Sequence, residues 1–246
     1  LGYGKIFPAP RVAASGTGRQ PVLSNEDYYR QNAQQFFTDT ASVDMSALYL
    51  TFTGYLPPGA RILDAGCGSG RDVKAFSEMG FDVEAFDASA ELVALARQWS
   101  GKPVAQMRFQ DVDAVEKYDG IWCCASVLHV SHTELPDVMA KLATALKPGG
   151  VWYLSFKHGH GEREKDGRRF TDMDVTGFQK LVEGMNTPGR APLAKNKLGI
   201  IKEAGSKDAT GNRFAFETAK IWQTGDVRAG RSNEIWLNAI IRKRLI

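Results

Sequence analysis

The sequence predicts an α/β fold with a doubly wound, mostly parallel seven-stranded sheet and a terminal antiparallel hairpin. Between residues 60 and 156, short β-rich runs alternate with longer amphipathic stretches, which is typical of βαβ units joined by right-handed crossovers. A glycine-rich turn, Gly66-Cys67-Gly68-Ser69-Gly70, follows the first of these runs. Near the C-terminus, two further β-rich runs joined by a turn containing Gly225 and Gly230 predict the hairpin.

Each element follows from its local pattern and from the Gly, Pro, Asn or Ser residues that bound it. Parallel strands are predicted at residues 60–65, 82–86, 104–109, 120–124 and 151–156, and the hairpin strands at 214–222 and 235–242. Helices are predicted at 25–37, 45–55, 71–79, 90–99, 134–146 and 174–182. Asn25 is a possible N-cap of the first helix.

The predicted organisation is one domain over residues 24–246, preceded by a loose arm at 1–23 that is rich in Gly, Pro, Ala and Ser. Residues 24–56 form N-terminal cap helices. Residues 185–213 contain many Gly, Pro and basic residues and are predicted to be a peripheral loop excursion with a short strand at 198–201. We expect the 147–150 turn, Lys-Pro-Gly-Gly, to end a helix and start a strand.

Composition excludes several function classes. With 43% hydrophobic residues in a chain of 246, a sizeable core is possible, and no apolar run approaches the roughly 18 to 20 residues needed to cross a bilayer. We expect a cytoplasmic protein whose three cysteines, at 67, 123 and 124, are reduced. Residues 1–156 carry 13 basic and 17 acidic side chains, and residues 157–246 carry 18 and 11. The basic C-terminal part is compatible with an anionic acceptor, whereas no nucleic-acid-binding motif accompanies it.

The glycine-rich turn indicates a nucleotide-like ligand. Glycines after a first strand let the backbone come close to a ligand, and the helix that follows offers unpaired N–H groups. The dinucleotide fingerprint would be G-x-G-x-x-G, but here the third glycine comes one position early. Asp64 also precedes the turn, and it would repel a pyrophosphate while attracting an ammonium group. The spacing favours a ligand with a methionine-like end over NAD(P), which remains the rival.

Residues 27–157 and the terminal hairpin resemble class I S-adenosylmethionine-dependent methyltransferases, on the strength of the run from Asp64 to Gly70 and the 146–150 segment Leu-Lys-Pro-Gly-Gly. Within them the chain looks most similar to small bacterial tellurite-resistance-type enzymes. The resemblance implies a methionine cradle with Arg71 near the carboxylate, a ribose-binding acid at Asp87, and adenine held after the third strand. The full set implied for the cofactor is Asp64, Gly66, Cys67, Gly68, Gly70, Arg71, Asp87, Ala88, Asp111, Val112 and Ala125.

Direct displacement of an activated methyl group mainly requires alignment, so a general base is optional. His129, after the fourth strand, is the predicted catalytic residue, either as a base or as a positioning group. Further candidates near the acceptor are Ser126, His132, Lys157, His158, His160, Tyr28, Tyr29 and the segment 168–172. His158 and His160 lack zinc-motif spacing, so no metal is predicted. A small-molecule acceptor is expected, with a non-catalytic S-adenosylmethionine-binding protein as the alternative. The chain is expected to be a monomer or a homodimer.

Overall fold

The computed structural model describes residues 24–187, 193–195, 201–203, 214–228 and 230–246. The helices are α1 (Asn25–Thr40), α2 (Ser46–Thr53), α3 (Arg71–Glu78), α4 (Ala90–Ser100), α5 (Leu135–Ala145) and α6 (Val175–Asn186). The strands are β1 (Arg61–Ala65), β2 (Asp82–Asp87), β3 (Ala105–Gln106), β4 (Tyr118–Cys123), β5 (Leu146–Lys157), β6 (Gly161–Lys165), β7 (Arg168–Asp172), β8 (Leu193–Lys195), β9 (Ile201–Glu203), β10 (Phe214–Gly225) and β11 (Ile235–Leu245).

A seven-stranded sheet in the order β10-β11-β5-β4-β1-β2-β3 confirms the predicted fold class. Strands β5, β4, β1, β2 and β3 run parallel, while β11 pairs antiparallel with β5 and β10 antiparallel with β11. The chain leaves β1 toward β2 and β3 and later returns to the other side of β1 with β4. This reversal places the topological switch point between β1 and β4, where a parallel sheet opens a crevice at its carboxyl edge.

Alternating side chains of the central strands bury both faces of the sheet, as expected for a doubly wound fold. On one face, Ile121 and Leu154 pack in the same apolar cluster as residues of α5 and α6. On the other face, Trp122 stacks on Tyr153 with ring centroids 3.9 Å apart. Phe52 of α2 packs against this pair. The strands therefore form a rigid platform with helices on both sides.

Two local predictions are wrong. Ser24, not Asn25, caps α1, because the Ser24 hydroxyl accepts from the Asp27 amide at 3.1 Å and the Asn25 side chain instead bonds the backbone of β7. The third strand is not residues 104–109 but only Ala105–Gln106, since it is an edge strand paired to β2 at two positions. Residues Phe109–Asp111 form a 3-10 helix instead.

The β6–β7 hairpin has no counterpart among the predicted elements, because its residues are mostly charged and show no hydrophobic periodicity. The signal was the dipeptide Asp166-Gly167, whose residues have φ of 52° and 73°. Positive φ at both central positions is the requirement of the type I′ turn that joins two-residue hairpins. This hairpin matters because its second strand faces the crevice.

The predicted arm at 1–23 and most of the 185–213 excursion lie outside the described residues. The strand predicted at 198–201 overlaps them only at Ile201, which begins β9. Strands β8 and β9 pair with each other and with no other described strand. Helix α6 extends past the predicted end at 182, and the Asn186 side chain bonds the Phe216 backbone at 2.8 and 2.6 Å. Within the part of the chain that the structure describes, no helix is long and apolar enough to cross a membrane.

Candidate active site

Two adjoining cavities open at the carboxyl edge of the sheet. The larger holds about 370 Å³ and the smaller about 180 Å³. The residues that line both cavities come from the ends of β1 and β4 and from α1: Tyr29, Phe36, Gly66, Gly68, Ala125 and His129. Because these residues are shared, the two cavities form one cleft with a common middle.

The glycine turn forms the floor of this middle. Gly66 and Gly68 have φ of 77° and 54°, values that side chains other than glycine rarely adopt. A Cβ at Gly66 would meet Ser126 at 2.6 Å, and one at Gly68 would meet Phe36 at 3.0 Å. Gly70 differs, since a Cβ there would meet Ala96 of α4 at 2.8 Å and Gly70 lines neither cavity. The first two glycines therefore shape the cleft, and the third lets α3 and α4 pack.

Asp87 ends β2 and lines the smaller cavity. Its two oxygens accept from the Gly68 amide at 2.9 Å and the Ser89 amide at 3.0 Å. Ser89 caps α4, so Asp87 is not the helix cap. Burial raises the pKa of Asp87, and the backbone N–H groups oppose that shift. A carboxylate has about four acceptor sites, so the backbone N–H groups do not take all of them and a ligand hydroxyl can still bind. Ala88 lines the same cavity.

Asp64 lies beneath the glycine turn and lines neither cavity. Its side chain is buried, and its Oδ2 atom has no hydrogen-bond partner among the described residues. Burial, together with the nearby charge of Asp72, raises the pKa of Asp64 well above its usual value. The geometry thus puts Asp64 behind the cradle rather than at its surface.

Arg71 and Cys67 line the larger cavity. The Arg71 guanidinium binds both oxygens of Asp72, at 2.6 and 2.9 Å. Asp72 also accepts from the Tyr49 hydroxyl and from the Trp122 indole, so its position is fixed from the core side. Asp72 was missed from the sequence. Cys67 forms no disulfide, and burial raises the pKa of its thiol, consistent with a packing role.

The loop after β3 is arranged differently from expectation. Phe109 and Gln110 line the smaller cavity, whereas Asp111 and Val112 line neither. Asp111 is exposed and accepts from the Arg108 amide at 3.2 Å, and Val112 is buried. With Phe86, Leu92 and Met107, the Phe109 ring gives this end an apolar lining, suited to a flat heterocycle.

The loop after β4 is held under strain. Ala125 has a φ of 52°, unusual for a residue with a side chain, and its amide donates to Ser155 at 2.8 Å. The Ser126 hydroxyl donates to the Ala65 carbonyl at 2.7 Å. These bonds tie the end of β4 to β5 and β1. Ser126 is therefore a structural clamp, and the loop it holds delivers His129 to the cleft.

His129 lies at the common middle of the cleft. Its Nδ1 is 2.9 Å from the Arg169 carbonyl and its Nε2 is 2.8 Å from the Tyr29 hydroxyl. A carbonyl oxygen only accepts hydrogen bonds, so Nδ1 carries the ring proton. The lone pair of Nε2 then accepts a hydrogen bond from the Tyr29 hydroxyl. Burial lowers the pKa of His129 to about 4, and the charge of Arg168 acts in the same direction. The imidazole is therefore neutral at physiological pH.

The β6–β7 hairpin and the β10–β11 turn form the far wall of the larger cavity. Lys157 is buried there against Asp226 at 3.2 Å and also pairs with Glu234, and its ammonium lies 3.8 Å from the centre of the Trp236 ring. Burial lowers the pKa of Lys157. Arg228 binds the same Asp226 at 2.6 Å. The ion pairs fasten the hairpin turn to β5, a role that sequence reasoning missed.

The other histidines lie away from the cleft. His132, His158 and His160 are exposed and line neither cavity. His160 faces Asp174 at 3.6 Å. Among the residues that the structure describes, no cluster of three or more His, Cys, Asp or Glu side chains is arranged to hold a metal ion.

Comparisons with known proteins agree on one family. A methyltransferase-domain model matches residues 36–183. A ubiquinone biosynthesis O-methyltransferase of Xanthomonas campestris is 39% identical over 108 residues, which cover 40% of this chain and 43% of that protein. The match therefore spans less than half the length of that curated relative.

Solved structures show the same fold. The 1,6-didemethyltoxoflavin-N1-methyltransferase of Burkholderia thailandensis, with bound 1,6-didemethyltoxoflavin and S-adenosylhomocysteine, aligns with a TM-score of 0.62 at 19% identity, covering 88% of this chain and 84% of that one. A TehB-like methyltransferase of Corynebacterium glutamicum aligns with a TM-score of 0.55 at 19% identity, covering 89% and 98%. At these identities the likeness concerns the fold alone.

The family match covers more than half of the chain and includes the glycine turn, Asp87 and His129. The family uses S-adenosylmethionine and not NAD(P), in agreement with the early third glycine. The chain belongs to the class I S-adenosylmethionine-dependent methyltransferases.

Proposed function

We propose that this enzyme methylates a small molecule held in the larger cavity, with His129 and Tyr29 at the reacting atom. The observation that carries the proposal is the shared middle of the cleft. Residues of the glycine turn, α1 and the β4 loop line both cavities, so one ligand in each would meet beside His129. The relative of Xanthomonas campestris is named as an O-methyltransferase of ubiquinone biosynthesis, which supports a small-molecule acceptor.

The residues of the smaller cavity fit a nucleoside. Asp87 keeps acceptor sites for the two ribose hydroxyls, and Phe109 contributes to an apolar lining for a base. The crowded backbone at Gly66 and Gly68 leaves no room for side chains in the cradle. Arg71, in the larger cavity, would lie toward the carboxylate of the methionine end, while Asp72 holds its guanidinium. Bound S-adenosylmethionine supplies a methyl group activated by a positively charged sulfur.

His129 would accept the proton that the methyl acceptor loses, by way of the Tyr29 hydroxyl. Its Nδ1–H is fixed by the Arg169 carbonyl, so the Nε2 lone pair can receive a proton from Tyr29 while the Tyr29 oxygen takes one from the acceptor. A pKa of about 4 makes this imidazole too weak to ionise a phenol beforehand, a gap of roughly six pKa units or about 8 kcal/mol. Attack on the methyl carbon makes an O–H group strongly acidic. The proton therefore leaves late, when a weak base suffices.

Calorimetric titration with S-adenosylmethionine, S-adenosylhomocysteine and NAD tests the cofactor site. We expect micromolar binding of the first two and none of NAD. Turnover is then measured as S-adenosylhomocysteine formation over a panel of phenols, amines and hydroxy acids. Tight binding of S-adenosylhomocysteine with no turnover on any small molecule would contradict the proposed acceptor class.

A further inference from the structure

We propose, resting on the function proposed above, that the methyl acceptor carries a carboxylate and that Arg168 binds it. Arg168 begins β7 and lines the larger cavity, with only 10% of its side chain exposed. The next residue, Arg169, bonds the His129 ring through its carbonyl, and Phe170 packs on that ring at 5.0 Å. The guanidinium is therefore at the His129 end of the cavity.

Arg168 differs from the other buried cations of the cavity wall. Arg71 binds Asp72 through two hydrogen bonds, and Lys157 is paired with Asp226 and Glu234. By contrast, the nearest carboxylate to Arg168 is Asp166, at 3.9 Å and 63% exposed. The buried Nε of Arg168 has no hydrogen-bond partner among the described residues.

A buried guanidinium without a close carboxylate destabilises the folded protein, and an anionic ligand that binds it offsets this effect. The Arg168 guanidinium lies 4.6 Å from the Tyr28 ring centre and 5.3 Å from that of Phe170. Aromatic rings stabilise the positive charge but accept no strong hydrogen bond. Arg168 also hydrogen-bonds the Tyr29 side chain, whereas its Nε–H has no partner among the described residues and remains available to a ligand. A guanidinium presents its donors as a planar fork that matches a carboxylate bidentately.

The charge of the cavity favours an anion. Five acidic side chains line the larger cavity among the described residues, against seven basic ones, and most of these are paired with each other. The excess of basic side chains attracts an anion, and the planar donor fork of Arg168 matches the two oxygens of a carboxylate. The acceptor we infer is a small carboxylic acid whose nucleophilic atom reaches Tyr29 and His129 while its carboxylate meets Arg168.

The test measures how tightly carboxylic acids and their uncharged amides bind to protein that is saturated with S-adenosylhomocysteine. The probes are hydroxybenzoates, aminobenzoates, hydroxycinnamates and short hydroxy acids, each paired with its amide, and inorganic phosphate. We expect at least one acid to bind the wild type tenfold or more tightly than its amide. Arg168→Gln should abolish that preference, and Arg168→Lys, which keeps the charge without the fork, should retain part of it.

Arg244→Gln is the matched control, because Arg244 is exposed, pairs with Glu217 and lines neither cavity. Its acid preference should equal that of the wild type. If no acid binds better than its amide, or if the preference survives in Arg168→Gln, the inference is wrong. Tighter binding of phosphate than of every acid would also overturn it. Failure of S-adenosylhomocysteine to bind at all would instead count against the proposed function.

Thermal melting of the ligand-free protein separates ligand binding from packing. Arg168→Gln removes a poorly paired buried charge, so its Tm should stay level or rise. Arg71→Gln leaves Asp72 without its partner, so its Tm should fall. A fall in Arg168→Gln as large as that in Arg71→Gln would mean that Arg168 serves the fold and would overturn its assignment to the acceptor.

Discussion

The two ends of the cleft are built differently. The smaller cavity is lined largely by the ends of β1, β2, β3 and β4 and the turns that follow them, whose positions the sheet fixes directly, and helix α1 completes it. The larger cavity takes its far wall from the β6–β7 hairpin and the β10–β11 turn, held by ion pairs such as Lys157–Asp226. The strands of the central sheet therefore determine the shape of the smaller cavity, whereas the β6–β7 hairpin and the β10–β11 turn determine the far wall of the larger cavity.

Under the proposed function, the smaller cavity binds the nucleoside of the cofactor and the larger cavity determines which methyl acceptor binds. The smaller cavity is lined by backbone groups, apolar side chains, Arg108 and three carboxylates, of which Asp87 ends a sheet strand. The far wall of the larger cavity carries many charged side chains, several of them paired with one another, and we expect that exchanging a few of them would change which molecule fits without disturbing the sheet.

Loss of the Asp87 carboxylate should have the largest effect, and only at the nucleoside end. Asp87→Ala removes two charge-assisted hydrogen bonds to ribose, which costs about 2 to 4 kcal/mol of S-adenosylhomocysteine affinity, or roughly 30- to 900-fold. Calorimetry measures the change. Asp82→Ala, at the other end of β2, removes only a surface pair with Arg61 and should bind like the wild type. Wild-type affinity in Asp87→Ala, with the fold intact, would refute the ribose assignment.

His129→Asn should lower turnover by about 10²-fold while leaving S-adenosylhomocysteine affinity within about twofold. The reason is that His129 serves the acceptor's proton and not the nucleoside. Steady-state kinetics and calorimetry measure the two effects. His132→Asn is the control, since His132 is exposed outside the cleft. Unchanged turnover in His129→Asn would remove this residue from the site and direct attention to Tyr29, which lines the same middle of the cleft.

The pH dependence of turnover tests whether His129 takes up the proton during methyl transfer or whether the methyl acceptor loses its proton beforehand. Neutral imidazole is the working form, and burial lowers the His129 pKa from 6.5 to about 4. Wild-type turnover should therefore be flat above about pH 6 and fall as the pH drops through about 4, and His129→Asn should lack this acid limb. A rate that instead climbs through the acceptor's own pKa would show that His129 only positions the acceptor.

Gly70→Ala should affect stability more than binding, because Gly70 serves helix packing. An added Cβ would meet the Ala96 backbone at 2.8 Å and stand at a φ of 76°, costing about 1 to 3 kcal/mol. That corresponds to roughly 2 to 4 °C of Tm for each kcal/mol. Gly80→Ala is the matched control, with a φ of 88° and no atom within 4 Å of the added Cβ. Equal Tm losses in the two variants would mean that crowding against α4 is unimportant.

Replacing residues 188–213 by a short Gly/Ser linker should have the smallest effect. The cost of closing a loop grows slowly with length, and Asn186, which anchors α6 to β10, is retained. Cofactor affinity should stay within about twofold by calorimetry. Loss of folding would show that the segment supplies core. Loss of turnover alone would assign it to the acceptor end.

The sequence predicted the sheet and most helices because each core strand is a short apolar run bounded by turn residues. The exceptions are informative. β3 needs only two paired residues at an edge, and the β6–β7 hairpin is charged on both strands, so hydrophobic periodicity could not reveal either. The Asp166-Gly167 dipeptide was the available signal for the hairpin.

The residues of the candidate site also fall into those that could be predicted from the sequence and those that could not. Gly66, Gly68 and Asp87 were identifiable because each follows a strand whose neighbours in the sheet can be inferred. The contact of His129 with Tyr29 joins residues 100 positions apart, and the exposure of Asp111 depends on a 3-10 turn. Neither pairing across that distance nor a single turn's geometry leaves a periodic pattern in the sequence.

The Asn25 side chain links helix α1 to the two segments that hold the His129 imidazole. Its amide bonds the Arg169 backbone in both directions, at 2.7 and 3.1 Å, and the His129 carbonyl at 3.3 Å. Helix α1 also carries Tyr29, whose hydroxyl bonds the imidazole Nε2 at 2.8 Å, while the Arg169 carbonyl that bonds Nδ1 belongs to β7. The orientation of the imidazole therefore depends on how α1 packs against β7, so a substitution that loosens α1 also disturbs a ring that lies about a hundred residues further along the chain.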